Sequence, residues 1–263
     1  MSAIDDLLPA AHEAVDLARD MMRTMRPGVL TAKGDRDMAS EVDIAIEQRV
    51  RAFLADRTPH VGFLGEEEGA RGTSDGLTWS LDPVDGTVNF VHGSPLCAVS
   101  LGLIEDGESV LGVIDTPFLG TRFWASPGGG AICDDVPMRV SEVADLSEAL
   151  CAIGDFAVGL DADEKNRERF AILETLVPRV QRIRMLGTAA TDLAWLAAGR
   201  LDVLVMMSNK PWDTSAGTAI ARTAGAHVVD RDGSAHNVAS EATIACAPGL
   251  AETLLPLLAA RIQ

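Results

Sequence analysis

The sequence predicts a mixed α/β fold that leans towards α+β, and three patterns support this prediction. Apolar residues recur at helical spacing near the N-terminus, short β-type runs occupy residues 61–125, and helices alternate with strands from about residue 146. Of the 263 residues, 47% are hydrophobic, which is enough for one large domain or two small ones with a sizeable core.

Two amphipathic helices are expected first. The spacing of leucine, alanine, valine and methionine predicts a helix over residues 4–25 that stops before Pro27. Ser40 can cap a second helix, which has acidic residues in its first turn and ends near Arg57. Each of these helices is therefore expected to bury one apolar face.

A strand-rich block follows the second helix. Its β-type runs are separated by Gly, Pro, Asp and Ser, which favour turns, so the block predicts a mostly antiparallel sheet. The expected strands cover residues 61–64, 78–81, 98–104, 110–114 and 121–125. Gly-rich loops are expected at residues 68–77 and 126–136.

The second half of the chain alternates helices and strands, which is typical of α/β architecture. Strands are expected at residues 150–153, 180–185, 201–206, 227–229 and 243–246, and helices at residues 163–176, 188–198, 213–223 and 250–261. No linker rich in Pro, Ser or charge separates the halves, so we predict two subdomains packed on each other. The first covers residues 1–145 and carries most candidate metal ligands, and the second covers residues 146–263.

The charge of the chain bears on its partners. It has 39 acidic and 22 basic residues, which give a formal net charge of −17. A surface this acidic repels phosphodiester backbones, so no nucleic-acid partner is expected. Divalent cations are expected partners instead.

The cysteines and the N-terminus exclude other classes of site and location. The four cysteines lie far apart without a C-x-x-C pair, so neither a zinc site nor a disulfide framework is expected. The acidic N-terminus does not resemble a signal peptide, and no apolar run approaches membrane-spanning length. We therefore expect a cytoplasmic protein that does not associate with membranes.

Residues 79–90 are the most informative segment. They place Asp82 and Asp85 three positions apart and follow them directly with Gly86 and Thr87. Two carboxylates can hold a divalent metal, and backbone N–H groups at the start of a turn or helix can bind an anion. The segment therefore predicts a metal-dependent enzyme that acts on phosphate. The alternative is a strand that ends in an Asp-rich turn, because Asp and Gly favour turns for backbone reasons alone.

Three further acidic segments bear on this prediction. Glu66 follows a predicted strand, Asp213 opens a predicted helix, and Asp43 lies near the start of the second helix. Each has a simpler explanation, which is a solvated loop for Glu66 and helix capping for the two aspartates. As a set, these acids follow strands or open helices, which is where an α/β scaffold collects site residues.

The motifs together resemble those of one family. Leu81-Asp82-Pro83-Val84-Asp85-Gly86-Thr87-x-x-Phe90 and Trp212-Asp213-x-x-Ala216-Gly217, with Gly65-Glu66-Glu67 upstream, are similar to the motifs of the inositol monophosphatase family of Mg²⁺-dependent, lithium-sensitive phosphatases. The resemblance runs from about Lys33 to Gly225 in matching order and spacing. It implies a layered αβαβα sandwich, a small phosphate ester as substrate and a homodimer.

The resemblance also implies a site for two to three Mg²⁺ ions. Glu66, Asp82 and the backbone carbonyl of Val84 would hold the first ion. Asp82, Asp85 and Asp213 would hold the second, so that Asp82 bridges the two. A third, more weakly bound ion would contact Glu66 through water molecules.

Catalytic and phosphate-binding roles follow from the same resemblance. Thr87 would pair with Asp43 and, together with Glu66, would orient or deprotonate the nucleophilic water. Backbone N–H groups of Gly86 and Thr87, next to Asp85, would receive the phosphate.

The resemblance is weaker on the side of the substrate alcohol. Ala189 belongs to residues 187–190, which would contact the alcohol through their backbone, and Lys33 matches a lysine near the site. A solvated surface lysine is the alternative for Lys33. Met206 occupies the position where inositol-specific members of the family have a glutamate, which removes an acceptor for substrate hydroxyls.

We therefore expect a Mg²⁺-dependent phosphomonoesterase that hydrolyses inositol 1-phosphate or a similar small polyol phosphate by metal-activated water attack. Histidinol phosphate, fructose 1,6-bisphosphate and 3′-phosphoadenosine nucleotides stay open as substrates within the same fold. An alternative of another class is a non-catalytic, metal-binding regulatory descendant. The joint presence of the candidate metal ligands and Thr87 argues against that alternative.

Overall fold

Helices and sheets alternate in five layers, which confirms the predicted αβαβα sandwich. The computed structural model describes residues 3–26, 30–32, 38–71 and 76–261. Lys33 lies outside the described residues. In the described part of the chain, no helix combines the length and the apolar character needed to cross a membrane.

The six predicted helices are present to within a few residues at their ends, and the short helix after Gly86 was foreseen only as the start of a turn or helix. They are α1 (Leu8–Thr24), α2 (Glu41–Arg57), α3 (Thr87–Val91), α4 (Ala162–Leu176), α5 (Ala189–Ala197), α6 (Pro211–Thr223) and α7 (Ala251–Ala259). Single 3₁₀ turns at Asp5–Leu7, Leu146–Glu148 and Pro248–Leu250 precede other elements.

The strands form two large sheets and one small hairpin. In chain order they are β1 (Leu30–Ala32), β2 (Met38–Ser40), β3 (Gly62–Gly65), β4 (Gly69–Arg71), β5 (Leu77–Asp85), β6 (Ala98–Glu105), β7 (Glu108–Thr116), β8 (Thr121–Ser126), β9 (Gly130–Cys133), β10 (Val136–Pro137), β11 (Leu150–Ile153), β12 (Arg182–Arg184), β13 (Val203–Met206), β14 (His227–Val229) and β15 (Thr243–Cys246). β1 and β2 pair with each other as an antiparallel hairpin.

The first sheet has the strand order β10-β9-β8-β7-β6-β5-β3-β4. Neighbouring strands in this sheet pair antiparallel, except for β3 and β5, which pair parallel. The predicted mostly antiparallel sheet is therefore confirmed. The second sheet has the order β12-β11-β13-β15-β14 and is parallel around β11. Because β3 and β5 run in the same direction, their carboxyl ends meet at one edge of the first sheet.

Two segments predicted to be loops contain short strands, so those predictions were wrong in part. β4 lies within residues 68–77, β9 lies within residues 126–136, and β10 begins at the end of that segment and ends at Pro137. β4 and β10 are the edge strands of the sheet and β9 is next to β10, and most residues of these three strands are not buried, so their sequences do not show the apolar pattern of a central strand. Gly130 has a φ of +72°, which allows the tight turn between β8 and β9.

Three apolar cores fill the spaces between the layers. The first lies between α1, α2 and the first sheet and includes Trp79 and Leu101. The second surrounds α5 and α6, which lie between the two sheets, and includes Ile114 and Ile220. The third lies between the second sheet and helices α4 and α7 and includes Leu254. All four cysteines are free thiols.

Helix α6 lies very close to the first sheet because glycines face it. A Cβ atom at Gly112 on β7 would overlap the backbone of Ala216, and one at Gly102 on β6 would overlap the side chain of Ser215. The missing side chains let the helix approach the strands directly. This contact fixes the height of the helix above the sheet, and therefore the position of acidic residues in its first turn.

We expect Gly112→Ala to destabilise the protein. The added methyl group has to displace the backbone of Ala216, and overpacking of this kind costs about 2 kcal/mol. For a chain of this size, that cost corresponds to a fall in Tm of about 4–8 °C in differential scanning calorimetry. Ser109→Ala, at the half-exposed start of the same strand, is the control. An unchanged Tm for Gly112→Ala would show that α6 does not approach β7 this closely.

Candidate active site

An irregularity in β5 brings Asp82 and Asp85 to the same face of the first sheet. In a regular strand, residues three positions apart point to opposite faces. Here Asp82 pairs with Ser100 on β6 and Asp85 pairs with Ala98, so two residues of β5 lie opposite one residue of β6. Since Ser100 and Ala98 share a face, both aspartates face α5 and α6. Pro83 suits this bulge because it has no N–H to leave unpaired.

Two other acids reach the same place from different elements. Glu66 directly follows β3, and its backbone N–H donates to the carbonyl of Leu81 on β5 at 3.2 Å. Asp213 lies in the first turn of α6. Within the described residues, one carboxylate oxygen from each of Glu66, Asp82 and Asp213 lies within 4.8 Å of the others. Three acids that are distant in sequence therefore form one cluster.

Asp213 does not occupy the N-cap position that the sequence suggests for it. Helix α6 begins at Pro211, two residues before the predicted start, because proline at the first helical position is compatible with its fixed φ. Lys210 occupies the N-cap position, so Asp213 lies inside the first turn. Its carboxylate lies in the acidic cluster with Glu66 and Asp82.

The acidic cluster is electrostatically unfavourable by itself. Burial raises the pKa of Asp82 well above its ordinary value, and the neighbouring charges of Glu66, Asp85, Asp213 and Asp43 raise it further. Burial also raises the pKa of Asp85 to about 6, although hydrogen bonds to its carboxylate oppose this increase. Buried carboxylates that repel one another become favourable when a cation lies between them. The site therefore has the donor set and the charge that a hard divalent cation requires.

These raised pKa values predict that the stabilisation of the folded protein by a divalent cation depends on pH. Without metal, Asp85 holds its proton in the folded protein up to about pH 6, whereas the unfolded chain releases it near 3.8. The folded state then binds more protons across that window, so metal-free stability falls as the pH rises through it. We expect the Mg²⁺-induced increase in Tm, compared with EDTA, to grow from about pH 5 to about pH 7. A gain in Tm that is independent of pH would contradict this account.

The N-terminus of α5 holds the carboxylate of Asp85. Oδ1 accepts the N–H of Ala189 at 3.2 Å, and Oδ2 accepts the N–H of Ala190 at 2.8 Å and the hydroxyl of Thr188. These are the donors that a helix N-terminus offers to an anion. The backbone N–H of Ala189, predicted to contact the substrate alcohol, therefore donates to Asp85 in this structure. Thr188 was predicted only as part of a segment, and its hydroxyl is a direct partner of the site.

Thr87 lies between an acid and a carbonyl of the site. Its Oγ1 is 3.1 Å from Oδ1 of Asp43 and 3.1 Å from the backbone oxygen of Val84. Asp43 is completely buried in the first turn of α2. The structure therefore brings Thr87, Asp43 and Val84 together.

Gly86 occupies a position that other residues would fill with difficulty. It has a φ of +85° and precedes the short helix α3. A Cβ atom there would lie 3.0 Å from the backbone oxygen of Leu96 and 3.1 Å from that of Gly187. Both the left-handed conformation and the lack of space favour glycine. The Asp-Gly-Thr sequence thus allows the chain to turn directly from β5 into α3.

Asn89 connects this turn to the opposite half of the chain, and the sequence did not single it out. Its side-chain nitrogen donates to the carbonyls of Leu96 and Leu186, each at 2.8 Å. Leu186 lies just before Thr188, so Asn89 helps to place the start of α5 beside Asp85. The only indication in the sequence is a polar residue two positions after Asp-Gly-Thr.

The side expected to receive the substrate alcohol is apolar at Met206. This residue ends β13, is 8% exposed, and packs in the core around α5 and α6. A Cβ atom at Gly154 would lie 3.0 Å from Cγ of Met206. Nearby, the ammonium group of Lys210 lies 5.8 Å from the centre of the Trp212 ring. Met206 therefore supplies no hydrogen-bond acceptor of the kind a carboxylate would supply.

Comparison with known sequences places these residues in a family. The model of the inositol monophosphatase family matches residues 4–263. The inositol-1-monophosphatase ImpA of Mycolicibacterium smegmatis is 35% identical over 252 residues, which cover 95% of this chain and 91% of that protein. A protein of Thermotoga maritima named fructose-1,6-bisphosphatase/inositol-1-monophosphatase is 36% identical over 212 residues, 79% of this chain and 77% of that protein.

Comparison of structures agrees with the sequence match. The crystal structure of the extragenic suppressor protein suhB from Bartonella henselae superposes with a TM-score of 0.89. It is 31% identical in sequence, and the match covers 96% of this chain and 98% of that chain. The fold predicted from sequence and the predicted family are therefore both confirmed. By its sequence, its layers and its relatives, this chain belongs to the inositol monophosphatase family and is a phosphoric monoester hydrolase.

Proposed function

We propose that the chain hydrolyses a small polyol phosphate with Mg²⁺ held by Glu66, Asp82, Asp85 and Asp213. The observation that carries this proposal is the convergence of Glu66, Asp82 and Asp213 within 4.8 Å. Asp85 lies on the same face of the sheet as Asp82. Oxygen ligands of this kind suit Mg²⁺, which binds carboxylates and keeps several waters.

Bound divalent cations would neutralise the charge of the phosphate and activate water as Lewis acids. The protein supplies the positions. Oδ1 of Asp82 accepts the N–H of Val84 at 3.0 Å, which fixes the carboxylate at the start of the bulge. The start of α5 fixes Asp85 in the same way. Because these side chains are already held in place, ordering them costs little free energy when the metal binds.

Thr87, Asp43 and Glu66 are proposed to act on the attacking water. When the hydroxyl of Thr87 donates its proton to Asp43 or to the oxygen of Val84, the lone pairs of Oγ1 stay available to accept a hydrogen bond. A water bound there can be oriented towards phosphorus, with the carboxylate of Glu66 as the acceptor for its proton. The backbone N–H groups of Gly86 and Thr87 are proposed to donate to the phosphate oxygens.

Inositol 1-phosphate or a similar small polyol phosphate is the proposed substrate. The relatives named as inositol-1-monophosphatases support this choice. Met206 weakens it, because a buried thioether does not bind a hydroxyl as a carboxylate does. The Thermotoga maritima relative carries both names, which keeps fructose 1,6-bisphosphate as the second candidate. The homodimer implied by the resemblance and the cytoplasmic location expected from the sequence also stay predictions, and analytical ultracentrifugation would test the first.

A substrate panel at fixed Mg²⁺ tests the proposed substrate. We expect inositol 1-phosphate or another small polyol phosphate to give the highest kcat/KM, measured by release of inorganic phosphate. Histidinol phosphate, fructose 1,6-bisphosphate and a 3′-phosphoadenosine nucleotide are the comparison substrates. A preference for any of these three would replace the polyol phosphate. If EDTA did not abolish turnover of any substrate, the metal-dependent mechanism would be wrong.

A further inference from the structure

Glu47 is a buried acid close to the site and is neither a proposed metal ligand nor a proposed catalytic residue. It lies on α2 one helical turn after Asp43, and it is 0% exposed. Residues four positions apart share a face of a helix, so Glu47 faces the same side as the acid that contacts Thr87. A buried carboxylate is costly unless hydrogen bonds compensate for lost hydration, so its partners are informative.

Both carboxylate oxygens of Glu47 accept backbone hydrogen bonds from the turn after β3. The N–H of Glu67 donates to Oε2 and the N–H of Glu68 donates to Oε1, each at 2.8 Å. These two amides directly follow Glu66. On the other side, the N–H of Glu66 itself donates to Leu81 at 3.2 Å. The backbone that carries Glu66 is therefore held by consecutive hydrogen bonds.

Gly65 and Glu68 complete this attachment to α2. A Cβ atom at Gly65 would overlap the carboxyl group of Glu47, so the glycine makes room for that group. At the surface, the side chain of Glu68 accepts a hydrogen bond from Gln48 at 2.8 Å and pairs with Arg51. Glu47 thus binds the backbone of the turn from the buried side. The side chain of Glu68 instead contacts residues of α2 at the solvent-accessible side of the turn.

We propose that Glu47 is a positioning residue that sets the metal affinity of the site by fixing the turn that carries Glu66. This inference rests on the proposed function, in which Glu66 is a metal ligand. The carboxylate of Glu66 is repelled by Asp82, so a loose turn would let it move away from the cluster. Part of the free energy of metal binding would then be used to bring the carboxylate of Glu66 back to the cluster, and the metal would bind more weakly. Partners that orient metal ligands commonly change metal affinity by about 10- to 100-fold.

Glu47→Gln tests this inference. The amide keeps the size of the side chain but replaces one acceptor oxygen by an NH₂ group, which would face a backbone N–H. We expect the Kd for Mg²⁺, measured by isothermal titration calorimetry without substrate, to rise about 10-fold or more. At saturating Mg²⁺ we expect kcat to be close to the wild-type value, so that its fold-change is smaller than that of Kd. Glu68→Gln is the matched control, because it removes one charge from the exposed end of the same turn and should change Kd less than about twofold.

A purely structural role predicts a different result. If Glu47→Gln lowers Tm but leaves the Kd for Mg²⁺ unchanged, the inference is overturned. If circular dichroism shows that Glu47→Gln does not fold, Gly65→Ala decides, because its methyl group would press on the carboxyl group of Glu47. Weaker Mg²⁺ binding by a folded Gly65→Ala variant supports the inference, and an unchanged Kd overturns it.

Asp82→Asn separates this inference from the proposed function. If the wild-type protein binds Mg²⁺ no more tightly than Asp82→Asn does, the proposed metal site is wrong, and the role of Glu47 falls with it. If Asp82→Asn loses binding while Glu47→Gln binds as tightly as the wild type, only the role of Glu47 is wrong.

Discussion

Replacing Asp82 by asparagine is expected to lower kcat/KM by about 10³-fold or more. Divalent cations at phosphate-transfer sites supply several kcal/mol of transition-state stabilisation, and about 1.4 kcal/mol corresponds to a factor of ten. Asp82 is 3% exposed and belongs to the acidic cluster with Glu66 and Asp213. The amide oxygen of asparagine can still accept the N–H of Val84, so the local turn is kept and the charge alone is lost.

The same substitution should affect stability in the opposite direction. Burial and neighbouring negative charges raise the pKa of Asp82, so asparagine removes an unfavourable charge from the metal-free protein. We therefore expect Tm in EDTA to be unchanged or higher, and the increase in Tm caused by Mg²⁺ to disappear. Asp106→Asn is the control, because Asp106 is exposed and its φ of +50° is tolerated by asparagine. Turnover above about a tenth of the wild-type value would contradict the assignment of Asp82.

Thr87→Ala is expected to lower kcat by about 10²- to 10⁴-fold while the Kd for Mg²⁺ stays close to the wild-type value. The hydroxyl of Thr87 can donate to Asp43 or to the oxygen of Val84, and the methyl group of alanine can donate to neither. The carboxylates of the acidic cluster are untouched. Turnover with Mg²⁺ at saturation and calorimetric Mg²⁺ titration together separate the two effects.

Thr87→Ser is the matched control for this prediction. Serine keeps the hydroxyl and loses only a methyl group, so it should restore most of the turnover lost in Thr87→Ala. If Thr87→Ala instead lost Mg²⁺ affinity while kcat stayed unchanged, Thr87 would act on metal binding and not on water. The proposed division of roles between Thr87 and the acidic cluster would then be reversed.

The parts of the fold and site that depend on local pattern could be predicted from the sequence. Apolar spacing located the helices, and the β-type runs located the central strands. Each acid of the cluster alone fits a loop or a helix cap, but as a set the acids follow strands or open helices, which is where an α/β scaffold collects site residues. The resemblance then connected Glu66, Asp82 and Asp213, which the structure brings within 4.8 Å of one another.

The parts that depend on distant contacts could not be predicted in this way. Asn89 donates to a carbonyl 97 residues away in sequence, and Glu47 accepts from amides 20 and 21 residues away. Nothing next to either residue reveals these partners. Glu47 instead resembles the many glutamates that lie on the exposed face of a helix. Strands at or next to an edge of the sheet, such as β4 and β9, were missed for a related reason, since their pairing depends on a neighbour and not on their own apolar pattern.

The start of α6 shows how a boundary changes an interpretation. With the helix placed at Asp213, that residue looked like a cap. With the helix beginning at Pro211, the same aspartate lies in the first turn and is carried by a helix that glycines hold close to the sheet. A shift of two residues therefore separates a residue that stabilises the helix from one that joins the acidic cluster.

The bulge in β5 means that the odd spacing of Asp82 and Asp85 has a structural cause. In a regular strand, two acids that bind the same metal ion would have to be separated by an even number of positions, so that both face the same side. The extra residue opposite β6 makes an odd separation work instead. Without this bulge, regular pairing over the same three positions would turn one aspartate towards the apolar core beneath α1 and α2 without changing either acid. The irregular pairing of β5 is therefore as much a part of the proposed metal site as the carboxylates themselves.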